Sequence, residues 1–355
     1  MLRNSHKQKT LSQKAIFPST RYQGSKLKLI EWIWQQVSDL KFTSVLDAFG
    51  GTASVSYLFK TKNKQVTYND LLNFNYYIGL ALIENKNILL TNDEISWLLE
   101  KHPNITYSNF VQENFSEIYF TDDENALIDV IITNIRHLDN KYKFAVAFFA
   151  LCQACIIKRP YNLFHRKNLY IRLADVKRSF GNKTSWDRPL DKWFRDFVQQ
   201  ANQAVFDNGQ ENIVYNQDAL NLNRSYDLVY IDPPYISNKG IAVDYLNFYH
   251  FLEGLADYPN WKTKIDYKSK HRRFILQANE WTDKNKILSA FDKLFNHYQN
   301  SILVVSYRSD GIPSELEIIE LMKKYKQVVK IEYYGKYKYA LSTNSNSKEL
   351  LLIGN

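Results

Sequence analysis

Cysteine is scarce in this chain of 355 residues, where Cys152 and Cys155 are the only two. Two thiols cannot build a disulfide framework, and they suit a reducing compartment. Their CxxC spacing has no second Cys pair and no clustered His to complete four ligands, so a buried pair in an apolar helix is expected rather than a metal site. Neither thiol follows a proline or sits in a strand-end loop, which argues against a cysteine nucleophile. Long apolar runs are missing too. The longest, Phe144 to Ile157, is interrupted by Gln153 and is too short to span a bilayer. The first 22 residues mix Lys, Gln and Ser with single apolar residues and lack the apolar stretch of a signal peptide. A soluble, cytoplasmic protein with no membrane partner is expected. No internal repeat or low-complexity tract occurs, and the GxGxxG fingerprint of dinucleotide-dependent enzymes is absent.

What is present is apolar and basic. Hydrophobic residues make up 45% of the chain, and 25 Tyr, 21 Phe and 7 Trp supply ample core and stacking surface. The length exceeds what one hydrophobic core usually fills, which favours an α/β unit carrying a large insertion. The formal net charge is +9, and it is concentrated in two stretches. From Lys158 to Asp196, eleven Lys and Arg, among them Arg159, Arg166, Lys167, Arg172, Lys177 and Arg178, face four Asp and are interleaved with Tyr161, Phe164, Tyr170, Trp186 and Trp193. From Lys262 to Arg273, six cations including Arg272 and Arg273 face Asp266 alone. Phosphate is the natural counter-charge. A solvated surface is the plain alternative for either run taken alone, and for His165 and His271 a phosphate contact or a surface role outweighs catalysis.

Periodicity orders the chain. Lys26 to Leu40 has the apolar spacing of an amphipathic helix. Ser44 to Asp47 is a short apolar strand running into Gly50-Gly51, with a helix expected from Ser54, and Gln65 to Asp70 is a second strand with acid at its end. Residues 71 to 208 are mostly helical. Strand character returns at 212–216, 226–231, 301–307, 328–334 and 349–353, with helices expected over 283–298 and 314–325. The last two strands lie too close in sequence for a crossover helix and must pair antiparallel. A mostly parallel sheet with an antiparallel end hairpin is implied.

The most informative segment is Asp227-Leu-Val-Tyr-Ile-Asp-Pro-Pro-Tyr235, an apolar strand running straight into Asp232, Pro233, Pro234 and Tyr235. Consecutive prolines fix φ, remove donors and hold the preceding Asp out of helical geometry. The result is a rigid cluster of acceptors. An exocyclic amine such as adenine N6 has two hydrogens and a lone pair delocalised into its ring. If the Asp232 carboxylate and the Pro233 carbonyl accept both hydrogens, that lone pair turns toward an electrophile, and Tyr235 can stack on the base. The loop Asp47-Ala-Phe-Gly-Gly-Thr-Ala53 lets the backbone pass close to a ligand. Asp70 falls roughly 20 residues beyond it, the spacing at which an acid meets ribose hydroxyls in doubly wound folds, although a helix N-cap is the bland reading of an isolated Asp.

Taken together these segments resemble the D12 class, or Dam-like group, of DNA N6-adenine methyltransferases, whose motifs follow the order X, I, II, III, IV. Arg21-Tyr-Gln-Gly-Ser-Lys26 looks like motif X, which implies that Tyr22 and Lys26 contact S-adenosylmethionine. The loop from Asp47 looks like motif I, with Asp47, Phe49 and Gly51 lining the methionine end of the cofactor. Asp70 matches the ribose-binding acid, Asp218 resembles the acid that meets the cofactor's adenine, and Asp232 to Tyr235 is the catalytic motif IV. The likeness extends to 244–250 and to Ser306-Tyr307-Arg308. It departs at Ala53, where motif I commonly has a second glycine; Ala is tolerated there if its φ is negative.

The resemblance implies a Rossmann-like α/β catalytic domain from residues 1–84 and 210–355, interrupted by a mainly helical target recognition domain at 85–209. It implies methyl transfer from S-adenosylmethionine to an adenine flipped out of duplex DNA, with the two basic runs gripping phosphate, no metal, and a monomer in solution. It also implies a bacterial or phage enzyme that is the protective half of a restriction-modification pair with a cognate endonuclease. Methylation of cytosine N4 or of RNA is the rival activity, disfavoured by DPPY rather than SPPW. A catalytically idle DNA-binding relative is the rival of another class.

Overall fold

The structure is a computed structural model and describes residues 15–176, 183–275, 277–336 and 347–355. Helix α1 (Ile30–Val37) buries Ile33 and Val37. It starts four residues later than its apolar spacing predicts, because Lys26 to Leu29 form a turn closed by a 2.7 Å bond from Leu29 N to Lys26 O. Lys26 is therefore free of the helix, and its side chain runs inward to 4% exposure. Strand β1 (Ser44–Asp47), helix α2 (Ser54–Thr61) and strand β2 (Gln65–Asn69) form the expected strand, turn, helix, strand unit. Helix α3 (Asn73–Gly79) leads into a helical stretch dominated by α4 (Asp122–Ile135), α5 (Lys141–Ile157) and α6 (Leu190–Ala204).

Strands β3 (Ile213–Tyr215) and β4 (Leu228–Ile231) resume the sheet. After β4 come the short β5 (Ile236–Ser237), α7 (Tyr245–Ala256), α8 (Ile287–His297), β6 (Ile302–Arg308), the short β7 (Gly311–Ile312), α9 (Glu315–Met322), β8 (Val329–Lys336) and β9 (Lys348–Gly354). Seven strands form one sheet in the order β3-β2-β1-β4-β6-β9-β8, while β5 and β7 pair separately. The first five strands are mutually parallel. β9 runs antiparallel to both β6 and β8, which gives the expected end hairpin. The direction of winding reverses between β1 and β4, so the crevice at their carboxyl ends is the natural ligand site of such a sheet.

Side chains alternate between the two faces of the sheet, and each face has its own core. Val45, Val66, Leu228 and Val304 point to one side, where they pack with the helices up to α7. Leu46, Val229, Leu303 and Leu350 point to the other, against α8 and α9. Helix α5 is buried on every side from Ala145 to Ile157, as a helix that is apolar all round must be. Both cysteines lie in it, buried and unoxidised, and burial pushes their thiols well up. Phe148 of α5, Ile128 of α4 and Phe194 of α6 belong to the same hydrophobic cluster as Val45. The helices between 85 and 209 are thus continuous in packing with the sheet. Among the described residues no helix is long and apolar enough to cross a membrane.

Candidate active site

Two loops meet where the winding reverses. Leaving β1, the chain turns through Gly50 and Gly51, with Gly50 N donating to Asn69 O at 2.8 Å and Gly51 at φ +50°. Gly50 packs flat against the Tyr68 ring, where a Cβ would lie 2.0 Å from a ring carbon. Leaving β4, Asp232 to Tyr235 turn sharply and enter β5, and Val243 N returns to Tyr235 O at 2.9 Å. Between the loops lies a cleft of about 890 Å³ including its mouth, within the range of ligand pockets. Tyr22, Asp47, Gly51, Asp70, Asp232 and Pro234 all line it. An adjoining chamber shares Phe49 and Leu71 with it and reaches Asp218.

The cleft is acidic and partly unsatisfied. Asp47 is buried. Its Oδ2 accepts from Ser56 Oγ at 2.7 Å, while Oδ1 has no partner, and burial pushes the carboxyl up to about 7. Asn75 Oδ1, in the same wall, is also buried without a partner. Asp70 accepts from Gly51 N at 2.9 Å, Leu72 N at 2.9 Å and Asn75 Nδ2 at 3.1 Å, and burial raises its carboxyl. It ties the two strand-end loops together rather than capping α3, whose first amides donate to Glu253 instead. Tyr22 stacks between Tyr249, at 4.6 Å, and Tyr245, at 5.4 Å.

At the catalytic turn, Asp232 Oδ1 accepts from the Tyr235 hydroxyl at 2.6 Å and pairs with Lys26 Nζ at 3.1 Å. Its Oδ2 has no hydrogen bond among the described residues. Burial pushes the Asp232 carboxyl up to about 6, against the downward pull of Lys26. Lys26 also pairs with Glu349 Oε1 at 2.9 Å and donates to the Tyr235 hydroxyl. Burial opposes its charge, but the two carboxylates outweigh burial and raise it. Glu349 is fully buried on β9; its Oε1 accepts from Ser306 Oγ at 2.6 Å and lies 3.0 Å from the Tyr235 hydroxyl, whose one hydrogen goes to the nearer Asp232.

This architecture has relatives. Residues 22–310 match the family of D12 class N6 adenine-specific DNA methyltransferases. The chain belongs to that family. It is 31% identical over 316 residues to the Type II methyltransferase M2.HphI of Haemophilus parahaemolyticus, covering 87% of this chain and 88% of that protein. It is 25% identical over 342 residues to M.NlaIII of Neisseria lactamica, covering 92% and 95%. It is also 28% identical over 329 residues to M.FokI of Planomicrobium okeanokoites, covering 86% of this chain but only 47% of that longer protein. The protein is therefore an adenine-specific DNA methyltransferase, of a kind that in general uses S-adenosylmethionine. The cofactor's ammonium suits the orphaned Asp47 Oδ1, and the residues of the cleft fit the group.

The site departs from the D12 expectations at several residues. Lys26, expected on the cofactor, lines the cleft, and its ammonium is engaged by Asp232, Glu349 and Tyr235. Tyr235 was expected to offer a stacking face. Its ring is only 7% exposed, with the Lys26 ammonium 4.7 Å from its centroid and Tyr307 edge-on at 5.3 Å. Ala53 has φ +63°, not the negative value expected, because it sits at the start of α2 where the glycine loop is still left-handed.

Two of the expected phosphate contacts are structural. Arg159 is 1% exposed and donates to Tyr119 O at 3.0 Å, Leu163 O at 3.3 Å, Arg166 O at 3.2 Å and Asn168 Oδ1. Arg172 is buried in a bidentate pair with Glu124 at 2.7 and 2.8 Å. Arg166 and Lys167 are exposed. Lys167 shares a shallow groove with Lys268, Lys270 and Arg272, so the two basic runs meet although a hundred residues separate them. Arg273, half-buried, pairs with Asp266. Burial lowers His165 to about 4, so it carries no charge for a phosphate. Lys177 and Arg178 lie outside the described residues. Glu349 and Trp281, whose ring meets Phe49 edge-on at 4.9 Å across the cleft, were not singled out from sequence. A glutamate between Lys348 and three leucines in a strand was the signal for the first; nothing marked the second.

Proposed function

We propose that the cleft binds S-adenosylmethionine beside an adenine rotated out of duplex DNA, and that Asp232 and its proline turn direct N6 at the methyl group. The observation that carries this reading is that Asp232, whose partners Tyr235 and Lys26 both meet Oδ1, lines the same cleft as Asp47, Asp70 and Tyr22. Asp47 Oδ1 would receive the cofactor's ammonium, Asp70 its ribose hydroxyls, and Asp218 its adenine at the end of the adjoining chamber. When bound, the cofactor supplies a methyl group already activated on a sulfonium, so in-line displacement by N6 needs no further electrophile. Asp232 Oδ2 and the Pro233 carbonyl accept the two N6 hydrogens and free the lone pair for attack. The electron pair of N6 would form the new bond as the carbon–sulfur bond gives its pair to the departing sulfur, and Asp232 would take the one proton the nitrogen then sheds. The Tyr235 hydroxyl keeps Oδ1 occupied, so that Oδ2 faces the substrate.

The exposed cations Arg166, Lys167 and Lys270, with the half-buried Arg272 of the same groove, would hold DNA phosphates, which fix register without reading sequence. Target recognition is proposed for residues 85–209 together with this groove. The relatives are named Type II methyltransferases, and a protective role beside a cognate endonuclease is proposed here. Sequencing the DNA of a host expressing the chain should reveal N6-methyladenine in one short context. Asp232→Ala should lower kcat by at least about a hundredfold and leave DNA affinity within about threefold. Modified adenine formed at an undiminished rate by that variant would overturn the mechanism.

A further inference from the structure

The cleft and the chamber beside it meet at a waist. Residues that line both are mainly apolar: Phe49 after β1, Leu71 and Leu72 after β2, Leu246 on α7, and Trp281 in a short helical turn (Glu280–Thr282) before α8. The polar residues at the waist are engaged with the chain itself. Asp244 accepts from Asn247 N at 3.0 Å, Asn279 Oδ1 accepts from Trp281 N at 2.9 Å, and Thr282 Oγ1 donates to Asn279 O at 3.1 Å. Leu71, next to Asp70, leaves 58% of its surface uncovered. The waist therefore offers apolar surface between acidic ends, with Asp47 and Asp70 in the cleft and Asp218 in the chamber. Such a passage suits a flat ring carried between polar groups.

Trp281 is the aromatic ring at this waist that none of the motifs X to IV supplies, and it is firmly seated. Its ring stands edge-on to Phe49 at 4.9 Å and 78°, and edge-on to Phe291 of α8 at 5.2 Å and 84°. The preceding residue, Glu280, pairs with Lys293 of α8 at 3.0 Å. With the planes of Phe49 and Trp281 78° apart, a purine lying flat on one ring meets the other at its edge, so the two together limit both its depth and its tilt. We propose that Trp281 is a specificity-determining residue for the cofactor, closing the waist on the adenine ring of S-adenosylmethionine and holding its nucleoside half. The inference deepens the proposed function and rests on it, since a cofactor with its ribose at Asp70 and its adenine at Asp218 has to pass between the residues that cleft and chamber share.

The test is calorimetry on the full chain without DNA, using two probes. S-adenosylhomocysteine carries both halves of the cofactor, and 5′-methylthioadenosine carries the nucleoside half alone. Trp281→Ala should weaken both by roughly tenfold or more, the scale of losing one aromatic partner of a base. In turnover its KM for cofactor should rise by a similar factor, with kcat at saturation and KM for DNA within about threefold. Trp281→Phe keeps a ring at the waist and should bind both probes within about threefold. The change in tryptophan fluorescence that S-adenosylhomocysteine causes in the wild type should then be largely lost. Unchanged affinity of Trp281→Ala for 5′-methylthioadenosine would overturn the inference, and a loss confined to S-adenosylhomocysteine would do so equally by placing Trp281 at the amino-acid half. A wild-type chain that binds S-adenosylhomocysteine but not 5′-methylthioadenosine would also overturn it. Should Trp281→Ala fail to fold, the fluorescence of Trp281→Phe decides, since a change as large as in the wild type is incompatible with contact. A wild-type chain that binds neither probe would instead sink the proposed function.

Discussion

Ala53 holds a left-handed backbone at φ +63° that a side chain with a Cβ adopts at a cost of roughly 1–2 kcal/mol. Substitution by glycine at a helix position usually loses about 1 kcal/mol. At Ala53 that loss should vanish or reverse, so Ala53→Gly is expected to melt at or above the wild-type temperature by calorimetry. A drop like that of an ordinary helical Ala→Gly would refute the backbone assignment. Asp47 makes a prediction in pH. Burial raises its carboxyl to about 7, while a cation settling against the free Oδ1 favours the ionised form. Cofactor binding should therefore strengthen as pH rises toward 7 and then level off, with proton release below that point. Titration calorimetry in buffers of different ionisation enthalpy measures this release, and a pH-independent affinity would remove Asp47 from the ammonium site.

Among the elements, the basic run from Lys158 to Asp196 divides into two parts with different work. Lys158, Arg159 and Arg172 turn inward. Lys158 and Arg172 share Glu124, at 2.7 Å each, while Arg159 satisfies the carbonyls of Tyr119, Leu163 and Arg166. Arg159→Ala would remove the donor of Leu163 O and Arg166 O, leave Tyr119 O to Arg172 at 3.1 Å, and should cost about 3 kcal/mol of stability in a urea melt, with the salt slope of DNA binding unaltered in whatever fraction folds. Neutralising Lys167, Lys270 and Arg272 should do the opposite. The slope of log affinity against log salt should shrink by about one for each lost phosphate contact, with stability nearly unchanged. A steeper loss of stability than of slope would mean that the groove is structural.

For the whole molecule, what was legible in sequence was local. The glycine turn, the acid after β2, the proline turn after β4 and the antiparallel pairing of the last strands all follow from neighbouring residues constraining one another's φ and hydrogen bonds. The acids Asp47 and Asp70 came out on one cleft because each ends a parallel strand, and parallel strands end on the same side. Burial of Arg159 was not legible, since charge alone does not say which guanidinium will find four inward carbonyls. Nor was Lys26's commitment to Asp232 and Glu349, because composition and spacing cannot report a meeting of residues 26, 232 and 349. The continuity of α4, α5 and α6 with the core on one sheet face was equally hidden, since helical periodicity names an apolar side without naming what covers it.

The position of β9 has a consequence for how the enzyme comes into being. This strand is threaded between β6 and β8, and it delivers the second carboxylate to Lys26. Without β9 the strand β8 has no neighbour in the sheet, and the inward ammonium of Lys26 keeps Asp232 as its one carboxylate partner among the described residues. A stop codon before Lys348 should therefore cost the parallel strands their antiparallel border and the cleft one of its anchors, and the shortened protein should leave host adenines largely unmodified.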